Sequence, residues 1–370
     1  MEVVELSPAS EVFCDVQSLA ECSDATGRRS GLKKRHLVSP SQFKILYNVN
    51  NSSRRPLFIS LSMHTKRDAS PVMLALPAFS YLHAVRYAKP ALSLDDQKNL
   101  LIARGLRINS DVLLQKLLRD YGFARLDAYC EAFVLSGTRH FRKSTSLSQV
   151  WQVIKLDEDL RNLLFPYLIR IELAIKAGLV EYLAQQGQAY GYMNSEIFHD
   201  QTLHVKLLAH ASKTWLRSSD RQMLAFRKKY DETTMPPIWY LMQALPLGSV
   251  SKWISNLKTP MGQELMNLLH LPTQRNFIKT GLQGLTVLRN SCAHGARIWN
   301  CVFPVSFMVD QTIPREFNPQ RLASALSLVE LCLDRLDLNI EPFMARRAAI
   351  LATVPKWQIQ LIGYPSRCTC

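Results

Sequence analysis

The sequence predicts an all-α protein, and three observations carry that prediction. From Ala88 onward, apolar residues recur at three- and four-residue intervals through long segments. No alternating strand pattern follows residue 90. Helix-start and helix-stop residues stand at the segment ends. The chain has 370 residues, 47% hydrophobic and 20% charged, which suffices for a substantial core and excludes a largely disordered or fibrous protein. Neither an internal repeat nor a low-complexity tract interrupts it.

Residues 1–85 stand apart as a basic, low-periodicity N-terminal extension, rich in Ser, Asn and Pro. It carries the run Arg28, Arg29, Lys33, Lys34 and Arg35, with strand candidates at 56–63 and 71–76. A helical domain is expected over 86–365 and a short tail over 366–370. Ser93 and Asp96 form a capping-box start for a first helix ending near Arg104, with Gly105 as its stop. A second helix covers 110–121. The longest, 147–185, repeats Leu156, Leu160, Leu163, Tyr167, Ile171, Ile175 and Leu179 along one side. Pro166 is expected to kink or break it, because proline removes a backbone donor. Asp157–Arg161 and Glu172–Lys176 are spaced for ion pairs along its polar side. A further helix is expected over 200–229, then a Met235-Pro236-Pro237 loop. Helices at 238–257, 261–269, 273–294, 319–336 and 341–352 complete the domain.

Lys and Arg number 45 against 30 Asp and Glu, a net charge of +15. That excess favours a polyanionic partner, either nucleic acid or an anionic membrane surface. The most apolar run, Pro71 to Leu82, is short and interrupted, so no membrane span is expected. Eight scattered cysteines without a Cys-x-x-Cys pair do not form a disulfide framework, which points to a reducing cytoplasm. No metal-ligand cluster, phosphate loop or other cofactor motif is present in the sequence, so no metal and no cofactor is expected.

One segment carries chemistry. Arg289, Asn290, Ser291, Cys292, Ala293 and His294 place an Arg and a His, four residues between them, at the end of an amphipathic helix. Gly295 is a natural residue to follow a helix end. On an ideal helix Arg289 and His294 diverge by roughly 140°, whereas Asn290 and His294 share a face. The long Arg side chain can bend to the same mouth and grip a phosphate with two donors, while imidazole exchanges protons near neutrality. These parts suit RNA scission without a metal: the ribose 2′-hydroxyl attacks, His moves protons and Arg stabilises charge on phosphate. One His does not easily serve both the attacking and the leaving oxygen. Two copies facing one another in a dimer would supply a second.

Around this segment the chain resembles the Abi-D/F-like abortive infection proteins of bacteria, within the HEPN superfamily. The likeness covers roughly residues 86–365. It includes Lys89-Pro90, the Ser93 to Gln97 opening, Arg104-Gly105-Leu106, and Phe123 to Tyr129. It continues with Asp157, Leu160-Arg161, Arg170-Ile171-Glu172, Pro237-Ile238-Trp239 and Ile362 to Pro365. The Arg289 to Asn300 run is its most specific part. The resemblance implies a HEPN-like helical bundle with additional N- and C-terminal helices. It also implies a homodimer with the two motifs meeting at its interface, and a toxin-like ribonuclease of phage defence. Some members hold a small noncoding RNA, so RNA is expected as substrate and as a cognate partner. Carried over by residue, Arg289 and His294 form the catalytic pair and Asn290 supports them, with Arg161 and Glu172 as lesser candidates. Two positions depart from the pattern: Gly295 stands where relatives have a second His, and Gln243 where they have Glu.

Blander readings stand beside these. Arg289 and His294 also fit a plain helix terminus, and Arg161 and Glu172 fit a solvated helix face. Cys292 falls on the apolar side, as a core residue. His199, His204 and His210 lack metal-ligand spacing and read as surface or structural. If 203–229 is one helix, Lys206, Lys213, Arg217, Arg221 and Lys228 fall within about 80° of each other. With Trp215 and Phe226 nearby they form a candidate RNA-binding stripe, which Arg297 joins from beyond the helix end; the alternative is an ordinary solvated face. The competing function is a catalytically inactive HEPN module that binds RNA or a partner protein, a reading that Gly295 and Gln243 favour.

Overall fold

The computed structural model describes residues 90–230 and 235–365, together with four two-residue strands nearer the N-terminus. The chain divides into two compact units, Met1–Ala91 and Leu92–Cys370. In the first, β1 (Glu2–Val3) pairs antiparallel with β2 (Leu46–Tyr47), and β3 (Ile59–Ser60) with β4 (Met73–Leu74). The second pair falls inside the two stretches read as strand candidates. The basic run at 28–35, the expected boundary at 85/86 and the tail at 366–370 lie outside the described residues.

The second unit is all-α, as its periodicity predicts. Its helices are α1 (Leu94–Ala103), α2 (Asp111–Tyr121), α3 (Phe123–Cys130), α4 (Leu147–Gly187), α5 (Gln201–Arg217) and α6 (Arg221–Lys229). Then follow α7 (Ile238–Ala244), α8 (Leu247–Asn256), α9 (Thr259–Leu268), α10 (Leu282–Ala293), α11 (Leu322–Arg335), α12 (Glu341–Ala352) and α13 (Lys356–Ile362). A π-helical turn, Phe277–Gly281, leads directly into α10.

Local chemistry sets the boundaries. Ser93 and Asp96 close a reciprocal capping box on α1, and Ser146 with Gln149 does the same for α4, satisfying donors that a helix start leaves open. The expected helix over 238–257 is two helices. Pro246 disfavours helical backbone in Leu245, which is extended, and the chain restarts as α8. The expected helix over 200–229 also divides. Ser218 is extended, and Asp220 caps α6 by accepting from Gln222 and Met223. Arg227 turns back to donate to the carbonyls of Trp215 and Ser218, closing the end of α5. The basic residues chosen on one continuous helix are therefore split between two.

Pro166, by contrast, does not break α4, which runs unbroken for 41 residues, about 60 Å. Pro166 and Asn162, whose carbonyl loses its partner, are both exposed, so water can replace the missing bond. Leu163, Leu164 and Leu168 are buried on the other side and carry the helix through. The helix is the centre of the unit, packing against α3 and against α7 through α12. Burial on several faces explains why its apolar residues spread beyond one stripe. Among the described residues no helix is long and apolar enough to cross a membrane.

After α4 the chain closes over an aromatic cluster. Phe198 stacks on His204 at 4.1 Å, and Trp253 meets both rings edge-on. His204, buried, holds the Tyr192 carbonyl at 2.9 Å, so it is structural. Just before Tyr192, a side chain at Gly191 would run into the Leu183 carbonyl oxygen. Backbone cannot yield as a side chain can, so Gly191→Ala should cost on the order of 3 kcal/mol. A drop in the thermal midpoint of several degrees would report it, and an unchanged midpoint would contradict this packing.

Candidate active site

The helix end read from the sequence is built as expected. α10 stops at Ala293, and His294 is the capping residue. Gly295 adopts the left-handed conformation at φ +62°. Its N–H donates to the Cys292 carbonyl at 3.2 Å, and that of Ala296 to the Ser291 carbonyl at 2.8 Å. This pair of bonds satisfies carbonyls left open at a helix C-terminus and requires a residue at ease with positive φ.

Beyond the helix end, the chain is fastened by a buried carboxylate. Asp157 of α4 is wholly inaccessible. Its Oδ1 accepts from the backbone N–H of Ile298 at 2.9 Å and of Trp299 at 2.6 Å. Its Oδ2 accepts from the Tyr129 hydroxyl at 2.6 Å and from Arg161. The Arg161 guanidinium also reaches the Ala296 carbonyl at 3.3 Å. Burial opposes its charge, but Asp157, Tyr129 and Glu158 together outweigh that and hold the Arg161 pKa above its ordinary value. Burial first, and then Asp157, push Tyr129 up to about 12, so it remains a neutral donor. Asp157 and Arg161 are therefore not a solvated surface pair, contrary to the blander reading.

Glu172 is the second buried acid of α4. It accepts from Lys176 Nζ at 2.7 Å and from Arg289 Nε at 3.1 Å. Arg289 also donates from a terminal nitrogen to Asn290 Oδ1 at 3.3 Å. The Asn290 carbonyl in turn accepts from the His294 N–H at 3.0 Å. Arg289 is thus drawn toward the residue that shares a face with His294, while Asn290 and His294 are exposed. Sequence reasoning placed Glu172 on a solvated face; burial places it underneath Arg289.

The remaining candidates divide. Lys206, Lys213 and Arg217 are exposed on α5, and Arg221 and Lys228 on α6. Trp215 and Phe226 are buried and pack edge-on at 5.8 Å, so neither offers a face to a base. Arg297 is engaged by the Ala128 carbonyl and by Glu131, at 3.3 Å from the latter. Cys292 is buried, and burial pushes its thiol up to about 12, which suits a core residue and not a nucleophile. Arg125 was missed from the sequence: its guanidinium lies 3.5 Å from where a side chain on Gly295 would begin, and above the Tyr121 ring.

A family model described as Abi-like protein matches residues 116–300, half of the chain. The chain belongs to the Abi-like protein family. The matched span of this Abi-like protein runs from within α2 to just past α10, so it contains Asp157, Arg161, Glu172, Arg289 and His294 together. No curated protein and no solved structure matches the chain.

Removing Asp157 tests the fastening. Asp157→Ala leaves the buried Arg161 without its acid and two buried backbone donors unpaired, which should cost about 3–5 kcal/mol. At roughly 2–4 °C per kcal/mol for a domain of this size, the melting midpoint should fall by about 10 °C. A fall of only a degree or two would mean that the carboxylate does not hold the segment.

Proposed function

We propose that this Abi-like protein is a metal-independent endoribonuclease of abortive infection. Membership in the Abi-like family supports the biological role. The observation that supports the chemistry is the exposed His294 capping the helix that carries Arg289, whose guanidinium Glu172 and Asn290 hold.

In the proposed reaction the ribose 2′-hydroxyl attacks the adjacent phosphorus. The O2′–P bond forms, the P–O5′ bond breaks, and a 2′,3′-cyclic phosphate results. His294 accepts the proton of the attacking hydroxyl, a step worth typically 10²–10⁴-fold. Arg289 bears against the phosphate oxygens as charge accumulates, where fixed donors act most strongly. The departing O5′ requires a proton, and His294 of a second copy supplies it across a homodimer. Glu172 is a positioning residue in this scheme, and Arg161 a structural one. The exposed cations Lys206, Lys213, Arg217, Arg221 and Lys228 attract the RNA electrostatically, and the reaction takes place in the cytoplasm.

A second reading rests on Gly295 and Arg125. The helix end places glycine, not a second imidazole, against a guanidinium, an arrangement suited to holding an RNA phosphate without cutting it. The noncoding RNA or partner-binding role belongs to this reading.

The two separate with purified full chain and single-stranded RNA in excess EDTA. The wild type should cut. His294→Ala and Arg289→Ala should each slow cutting by about 10²-fold or more, and Glu172→Gln by about tenfold through the loosened Arg289. Equal cutting by wild type and both alanine variants would end the catalytic assignment. Tight RNA binding without turnover would favour the second reading.

A further inference from the structure

A second cationic feature lies at the opposite end of the helix that carries Arg289 and His294. The π-helical turn Phe277–Gly281 is wider than an α-helical one and leaves backbone carbonyls seeking partners. The Ser255 hydroxyl of α8 lies 3.2 Å from the Ile278 carbonyl, with its shorter contact, 2.7 Å, to the Ser251 carbonyl of its own helix. Beside this turn lies a small open cleft.

His199, Arg275 and Lys279 line the cleft together with Thr259, Thr273 and the buried Ile278. No carboxylate lines it. The side chains of His199, Arg275 and Lys279 have no ion pair and no hydrogen bond among the described residues. Arg275 and Lys279 line one cleft without a carboxylate, and a cleft concentrates their field, so the site favours an anion. Two threonine hydroxyls and the exposed Arg275 and Lys279 supply donors for the several oxygens of a phosphate group.

We propose that this cleft is a binding subsite for a backbone phosphate of single-stranded RNA, distinct from the place of scission. The identity of the strand rests on the function proposed above. Ten residues separate Lys279 from Arg289 on one nearly continuous helix, about 15 Å along its axis. A strand seated in the cleft would therefore reach the Arg289 and His294 end after a few nucleotides. The subsite fixes where along the strand the cut falls.

Fluorescence anisotropy with full chain and a labelled 2′-O-methyl RNA strand, which cannot be cut, tests this apart from cleavage. Arg275→Gln with Lys279→Gln should weaken binding at least tenfold and reduce the salt dependence of log Kd by about 0.7, the value for one phosphate contact on a single strand. The control pair, Arg346→Gln with Lys356→Gln, removes the same charge from exposed positions on α12 and α13. It should change affinity less than about threefold, as expected of the general field alone. Both pairs are checked for unchanged melting. Equal loss in the two pairs, loss in the control alone, or no loss in either overturns the subsite. Because the probe is uncleavable, failure of the nuclease reading would leave this result standing.

Discussion

The carboxylate of Asp157 is the constraint on which the site depends. It lies in the interior of α4 and accepts from four donors drawn from α3, from α4 itself and from the chain beyond α10. A buried charge is costly unless it is paired and its lone pairs are filled, and here both conditions hold. The arrangement gains position more than stability. It fixes the exit of α10 within hydrogen-bond distance of a rigid central helix, so the left-handed turn at Gly295 and the exposed His294 have a defined place. Without Asp157, residues 296–299 would keep only the Arg161 contact and their apolar packing.

Glu172 does for one side chain what Asp157 does for a segment. It stands four turns along α4 from Asp157 and meets Arg289 from below, while Asn290 meets it from the side. A guanidinium has five donors. Two contacts leave others free, which is the condition for a group that must also touch a phosphate. Arg161 is in the opposite state: its charge is committed to Asp157 and it reaches the backbone as well. The same residue type therefore has two roles within one helix end, set by burial and by the acid beneath it.

Much of this was legible in the sequence. The capping box at Ser93, the stop at Gly295 and the start of α4 follow from short-range rules that need no knowledge of the fold. The roles of Asp157 and Arg161 were not read, although a signal existed. Val150, Ile154, Asp157, Arg161, Leu164 and Leu168 form one three-and-four stripe, and two charges inside an apolar stripe mark a buried pair. A second stripe, through Leu156 and Leu163, drew attention away, because a helix buried on several faces has more than one. The division of 200–229 was hidden for another reason: it depends on Arg227 folding back onto carbonyls of the preceding helix, a contact that spacing does not encode. The short α3 and α13 offer too few turns for a periodicity to register. Pro166 misled because its effect depends on which face it occupies.

The central claim is that a held Arg and an exposed His sever RNA through its own 2′-hydroxyl. End-group analysis of RNA cut by the purified full chain tests it most directly. The account predicts 2′,3′-cyclic phosphates on the upstream fragments and free 5′-hydroxyls on the downstream ones. Upstream 3′-hydroxyls with downstream 5′-phosphates would mean that water or another external nucleophile makes the attack, and would contradict it.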